Sequence, residues 1–193
     1  MQSQEVVSAA VHSFEEFHYT HLSPGTSFFQ PSQLSLSWSP PAVGYFKINF
    51  DATFAKQRCE GAIAAVFRDS TCQPLGWSCK KVLNQMNPHI LEALACKQAV
   101  QLSIDKGINE VIVEKDSLIV IQGIQSQDQL LEIRGIIQDI AILSQCIQQI
   151  SFTHVSRSCN KAAHSLGQKS LHDYSFLYNP MMQVMFVTSS MPI

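Results

Sequence analysis

The stretch "NEVIVEKDSLIVIQGI", residues 109–124, runs Val111-Ile112-Val113 straight into Glu114, Lys115 and Asp116 and then turns apolar again. A short apolar run without alternation marks a strand buried on both faces, the kind found in parallel sheets. The apolar segment Ser117–Gln125 that follows reads as a short helix. A strand that hands over to a helix is half of a crossover unit, which points to an α/β class with parallel strands. Asp116 sits at the handover, and two readings are open. It is either the N-cap of the helix or one leg of a metal site at the edge of a sheet.

Upstream, "YFKINFDATF", residues 45–54, alternates strictly. Phe46, Ile48, Phe50, Ala52 and Phe54 face one way, and Lys47, Asn49, Asp51 and Thr53 the other, as in a half-buried strand. "GAIAAVFRD" and "PLGWSCKKVL" follow as two more strands joined by a hairpin turn at "STCQ". From Pro88 to Lys106 the period becomes helical, with Pro88 suited to the first turn and Gly107 to the stop. Downstream of the opening stretch come a longer helix (Leu130–Gln148), the strand "ISFTHV" and a last helix from Asn160 to His172. The order βββ-α-β-α-α-β-α describes an antiparallel meander followed by parallel strands on crossover helices.

The Ser- and Pro-rich residues 1–37 read as a linker, residues 38–172 as the ordered domain, and residues 173–193 as a tail. Within that tail "QVMFV" has the composition of an added edge strand. At 193 residues and 46% hydrophobic content the chain has one domain's worth of core. Only 15% of residues are charged and the formal net charge is −2, so binding to a polyanion should be weak and salt-sensitive. The six cysteines form no CxxC pair and read as reduced thiols. No basic start precedes an apolar block at the N-terminus, and no apolar run reaches the roughly 18–20 residues of a membrane span. The expectation is an intracellular monomer, nuclear or cytoplasmic, with no membrane contact.

Three acids stand in apolar company: Asp51 in the first strand, Glu92 in "ILEALA", and Asp116. On a helix Glu92 shares a face with Ala95, Cys96, Ala99 and Ser103, whose small size lets the helix lie close to the sheet. If the first and fourth strands are neighbours, all three carboxylates meet at one end of the sheet. Such a cluster needs a hard cation, and its oxygen ligands suit Mg²⁺ or Mn²⁺. The plainer reading of Asp51 is a solvated residue on the polar face of its strand.

The blocks "KINFDATF", "LEALA", "VIVEKDS" and "FTHVSRSCNKAAHSLG" resemble, in order and spacing, the four signature blocks of type 1 ribonuclease H domains. The likeness is to the plant branch related to the ribonuclease H region of non-LTR retrotransposon polyproteins, and it covers roughly residues 38–172. The resemblance implies a ribonuclease H-like fold, a five-stranded mixed sheet of three antiparallel then two parallel strands flanked by helices. It also implies Mg²⁺- or Mn²⁺-dependent endonucleolytic cleavage of RNA in RNA–DNA hybrids with two bound ions. It assigns metal and catalytic positions to Asp51, Glu92, Asp116 and His164, and nucleic-acid contacts to Thr53, Arg157 and Asn160. The chain departs from the pattern where the fourth acid is His164 and where Ala52 replaces the Gly after the first Asp. Asn87 stands only near the family's hybrid-contacting Asn, and the basic insertion of some members is missing. These departures keep a second reading open: a retroelement-derived module with weak or no catalysis that acts through binding.

Overall fold

The computed structural model describes residues 37–85, 87–125 and 130–172, together with the backbone of residues 185–186. Expectations for residues 1–36 and for most of the tail lie outside the described residues. The chain forms β1 (Phe46–Ala55), β2 (Glu60–Arg68), β3 (Pro74–Leu83), α1 (Pro88–Asp105), β4 (Glu110–Lys115), α2 (Leu118–Gln125), α3 (Arg134–Ser144), β5 (Gln149–His154), α4 (Lys161–His172) and β6 (Met185–Phe186). The strand order is β5-β4-β1-β2-β3-β6. Strands β1, β2 and β3 pair antiparallel, and β1, β4 and β5 pair parallel, as the sequence led us to expect. The two-residue β6 adds a sixth strand beside β3, opposite Gly76 and Trp77.

Local sequence explains the boundaries. Asn87 caps α1, its side chain accepting from the backbone N–H of His89 at 2.9 Å, with Pro88 in the first turn. Gly107 ends it at φ +65°, a left-handed conformation that favours glycine. The β2–β3 turn is tightened by the Asp69 carboxylate, which accepts from the Thr71 N–H at 2.8 Å. The helix expected over 130–148 is shorter: a 3₁₀ turn at Leu131–Ile133 precedes α3, and helix ends at Ser144. Its last turns tighten into i→i+3 bonds from Cys146 and Ile147, which carry the Ile147 side chain inward to 5% exposure.

The core lies between the sheet and α1, where Ile48, Phe50, Val111 and Val113 meet Leu91, Ala95, Cys96 and Ala99. A fully buried aromatic or branched side chain there contributes roughly 1.5–3 kcal/mol. Helix α1 sits so close that a Cβ on Gly61 would lie 2.7 Å from Leu91 Cδ1. The other face of β1 departs from expectation. It is not solvated, because α4 packs across it and leaves Asn49 at 0%, Asp51 at 4% and Thr53 at 5% exposure.

Burying that polar face requires partners. Asn49 donates to Glu114 Oε2 at 3.0 Å and accepts from the Arg68 guanidinium at 2.7 Å. Lys47 Nζ pairs with Glu114 Oε1 at 2.7 Å, and the Arg68 guanidinium stacks 3.7 Å from the buried Trp38 ring. This network ties Trp38 to β1, β2 and β4. Removing one member strands the others. We expect Glu114→Ala to cost about 3–5 kcal/mol in urea unfolding, the usual consequence of breaking a buried charge network; a loss under about 0.5 kcal/mol, the range of a surface substitution, would show the network to be incidental.

Candidate active site

The parallel pairing of β1 with β4 sets Asn49 opposite Glu114. Two residues further along each strand, Asp51 and Asp116 therefore emerge at the same end of the sheet. Helix α1 brings Glu92 to that point. The small face foreseen for the helix is fully buried against the sheet: Ala95 at 1% and Cys96, Ala99 and Ser103 at 0% exposure. From the opposite side α4 brings His164, whose Nδ1 lies 2.7 Å from Asp51 Oδ2. One turn on, a Cβ on Gly167 would sit 2.8 Å from Thr53 Oγ1. That glycine is what allows α4 close enough for His164 to reach Asp51.

The group at the centre is Lys115. Its Nζ pairs with Asp51 Oδ1, with Asp116 Oδ1 at 2.8 Å and with Glu92 Oε2 at 3.1 Å, and its side chain is 2% exposed. Three carboxylates thus surround one ammonium with three donors. The Asp116 and Asp51 contacts are hydrogen bonds, and the Glu92 contact is a longer ion pair. Burial pushes the Glu92 carboxyl up to about 7, with Lys115 only partly opposing. For Lys115, burial favours the neutral amine, but Glu92 and Asp51 outweigh it and hold the ammonium above its ordinary range. For Asp116, burial is likewise outweighed, here by bonds from Lys115 and Asn160, and the carboxyl lies below the usual range.

Carboxylate oxygens are the right donors for Mg²⁺ or Mn²⁺. The point on which they converge, however, is held by an ammonium, and both Asp51 oxygens are engaged, one by Lys115 and one by His164. Among the described residues no three His, Cys, Asp or Glu side chains are arranged to hold a metal ion. With Lys115 in place the cluster does not fit a divalent cation.

The family model described as "Reverse transcriptase-like" matches residues 49–170, well over half of the chain. The chain belongs to the reverse transcriptase-like family. This reverse transcriptase-like domain is similar in fold to solved ribonuclease H structures. RNase H1 of Halobacterium salinarum is 18% identical, with 67% of this chain and 98% of that one covered, at a TM-score of 0.63. The N-terminal RNase H domain of a Mycobacterium tuberculosis protein is 14% identical over 70% and 99%, at 0.61. LC11-RNase H1, isolated from compost and solved with an RNA/DNA hybrid, is 20% identical over 65% and 99%, at 0.57. No curated protein matches the chain. Among the described residues of the reverse transcriptase-like domain, no helix is long and apolar enough to cross a membrane.

The domain brings together Asp51, Glu92, Asp116 and His164, and of the three residues expected to touch nucleic acid only Asn160 bonds to that cluster. Arg157 is exposed in a 3₁₀ turn ahead of α4. Thr53 is buried beneath Gly167, and Asn160 is 0% exposed. The Asn160 amide donates to Phe50 O and to Asp116 Oδ1, both at 2.9 Å, so it orients the cluster from inside. Asp116 stands two residues before the first turn of α2, which leaves Ser117 in the capping position. The residue missed was Lys115, yet a signal existed. It continues the inward-facing series Val111, Val113, Lys115 along β4, and a lysine at an inward position demands carboxylates nearby.

Asn160 can be tested apart from any activity. Asn160→Ala should cost about 1–3 kcal/mol in chemical unfolding, because it removes a donor from the buried Phe50 carbonyl and from the Asp116 carboxylate. Unchanged stability would show that Asn160 does not hold the cluster together.

Proposed function

We propose that this domain recognises RNA–DNA hybrids and that Asp51, Glu92, Asp116 and His164 form its centre for hydrolysis of the RNA strand. The observation that carries this reading is the convergence of three carboxylates from β1, α1 and the end of β4 on one point at the end of the sheet. The ribonuclease H-like fold and the four sequence blocks support it, as does a solved neighbour with an RNA/DNA hybrid bound. The relation to plant retrotransposon polyproteins rests on the same blocks.

Within that centre Asp51 accepts from His164 Nδ1, which places the ring proton on that nitrogen and leaves Nε2 as the proton acceptor. The imidazole stands partly exposed at 36%, where water has access. Bound Mg²⁺ or Mn²⁺, as the resemblance implies, would supply water activation and charge neutralisation. The point on which the three carboxylates converge is held by Lys115. Lys115 therefore favours a second reading, in which the domain binds hybrids and turns them over slowly or not at all.

The purified chain should be titrated against labelled RNA–DNA hybrid, duplex DNA and single-stranded RNA. With a net charge of −2, we expect hybrid to be retained at about 50 mM salt and largely released by about 200 mM. Any cleavage should be confined to the RNA strand and abolished by Asp51→Asn and by Glu92→Gln. Equal binding to all three nucleic acids, or cleavage that survives Asp51→Asn, would remove this reading. Hybrid-selective binding without cleavage would establish the second.

A further inference from the structure

We infer that Lys115 is the resident cation of this cluster: the chain has a latent divalent-metal site that its own lysine keeps closed. The inference rests on the proposed reading only in taking Asp51, Glu92 and Asp116 as the centre. It stands on three observations about this chain.

The first is position. Lys115 Nζ contacts one oxygen of each of the three carboxylates, from three separate elements, and so lies at their common point. A second cation there would meet the ammonium at close range with no water between them.

The second is spacing. The Asp116 and Glu92 oxygens stand 2.8 and 3.1 Å from that point. Mg²⁺ demands oxygens at about 2.0–2.1 Å in near-ideal octahedral geometry, so these two sit about 0.7–1 Å too far out. At these two oxygens the spacing is that of an ammonium. A metal would fit only after the carboxylates close in, which Lys115 prevents.

The third is enclosure. Many surface lysines can swing aside and keep the head group in water. Lys115 cannot, because its side chain is 2% exposed and runs beside the Phe50 ring, 5.9 Å from Nζ to the ring centre. Phe50 is itself 0% exposed in the core. Moving the ammonium out means opening the contact between α1, β1 and β4. Lys115 also sets one positive charge among the three carboxylates, so the cluster has a cation of its own without any metal. Replacing it by a small neutral side chain should both vacate the centre and restore the repulsion that draws a divalent cation in.

The test uses the full chain without nucleic acid, comparing wild type, Lys115→Ser and Lys115→Gln in calorimetric titrations and thermal melts with Mn²⁺ and Mg²⁺. We expect wild type to show no saturable binding at millimolar metal and no shift in Tm. Lys115→Ser should melt lower than wild type without metal and regain stability with Mn²⁺. It should bind one ion per chain at least tenfold more tightly than wild type, and a second substitution, Asp51→Asn, should abolish that binding. Lys115→Gln, which keeps the bulk and loses the charge, should fall between the two. Saturable Mn²⁺ binding by wild type that is lost in Asp51→Asn overturns the inference, and so does Mn²⁺ affinity in Lys115→Ser no better than in wild type. Should both Lys115 variants fail to fold, the wild-type titration decides alone. Its readout is metal occupancy, so failure here leaves the hybrid-recognition reading standing, and failure of hybrid binding leaves this one standing.

Discussion

Charges taken out of water need a counter-charge where they stand, and in this domain one buried ammonium is shared by three carboxylates. Lys115 joins the end of β4 to β1 and α1, the elements that also build the core. Without a positive charge at that point Asp51, Glu92 and Asp116 would repel one another inside a poorly screened interior. The arrangement explains why α1 can run a face of Ala and Cys side chains flat against the sheet and still deliver Glu92 to its edge. It also explains why His164 meets Asp51 on the outer side, since the inner oxygen is already engaged.

A second buried polar network stands a short way back along the same two strands. Asn49 and Glu114 pair directly across β1 and β4, and Lys47, Arg68 and Trp38 complete the set. The polar face of β1 is therefore an interior surface made of two compensated clusters beneath α4. One holds Trp38 in place; the other forms the candidate reaction centre. Their proximity means that the centre is built on rigid strands, with Asn160 linking it to the backbone of Phe50. Such placement preorganises a site more strongly than loops could.

Lys115 changes what the carboxylate cluster can do. Carboxylates gathered at a sheet edge suggest a metal-assisted hydrolase on donor chemistry alone. The same carboxylates around a lysine make a site with its own cation, whose remaining reactive feature is the Asp51–His164 pair. Fold and family membership are compatible with either behaviour, because chemistry belongs to the site and not to the scaffold.

Much of the fold was legible in the chain. The alternation in "YFKINFDATF" and the unbroken run in "VIV" follow from which faces each strand buries, and periodicity reports that locally. The capping Asn87, the first-turn Pro88 and the stop at Gly107 are equally local, because each satisfies or frees a backbone group within a few residues. The three acids stood out by their apolar surroundings and His164 only by the resemblance of its block, and the fold brings these four side chains to one end of the sheet. What the chain alone left undetermined was every contact set by approach from another element. Alternation marks Asp51 and Thr53 as the polar side of β1, but only the packing of α4 over Gly167 turns that side into interior. Asn160 reads as a surface amide until the fold brings it against Phe50 and Asp116. The period of β4 marks Lys115 as inward-facing, but which carboxylates meet it is decided only when β1, β4 and α1 close around it. Spacing along a chain predicts direction, but neutralisation depends on what arrives from elsewhere, and that is decided in three dimensions.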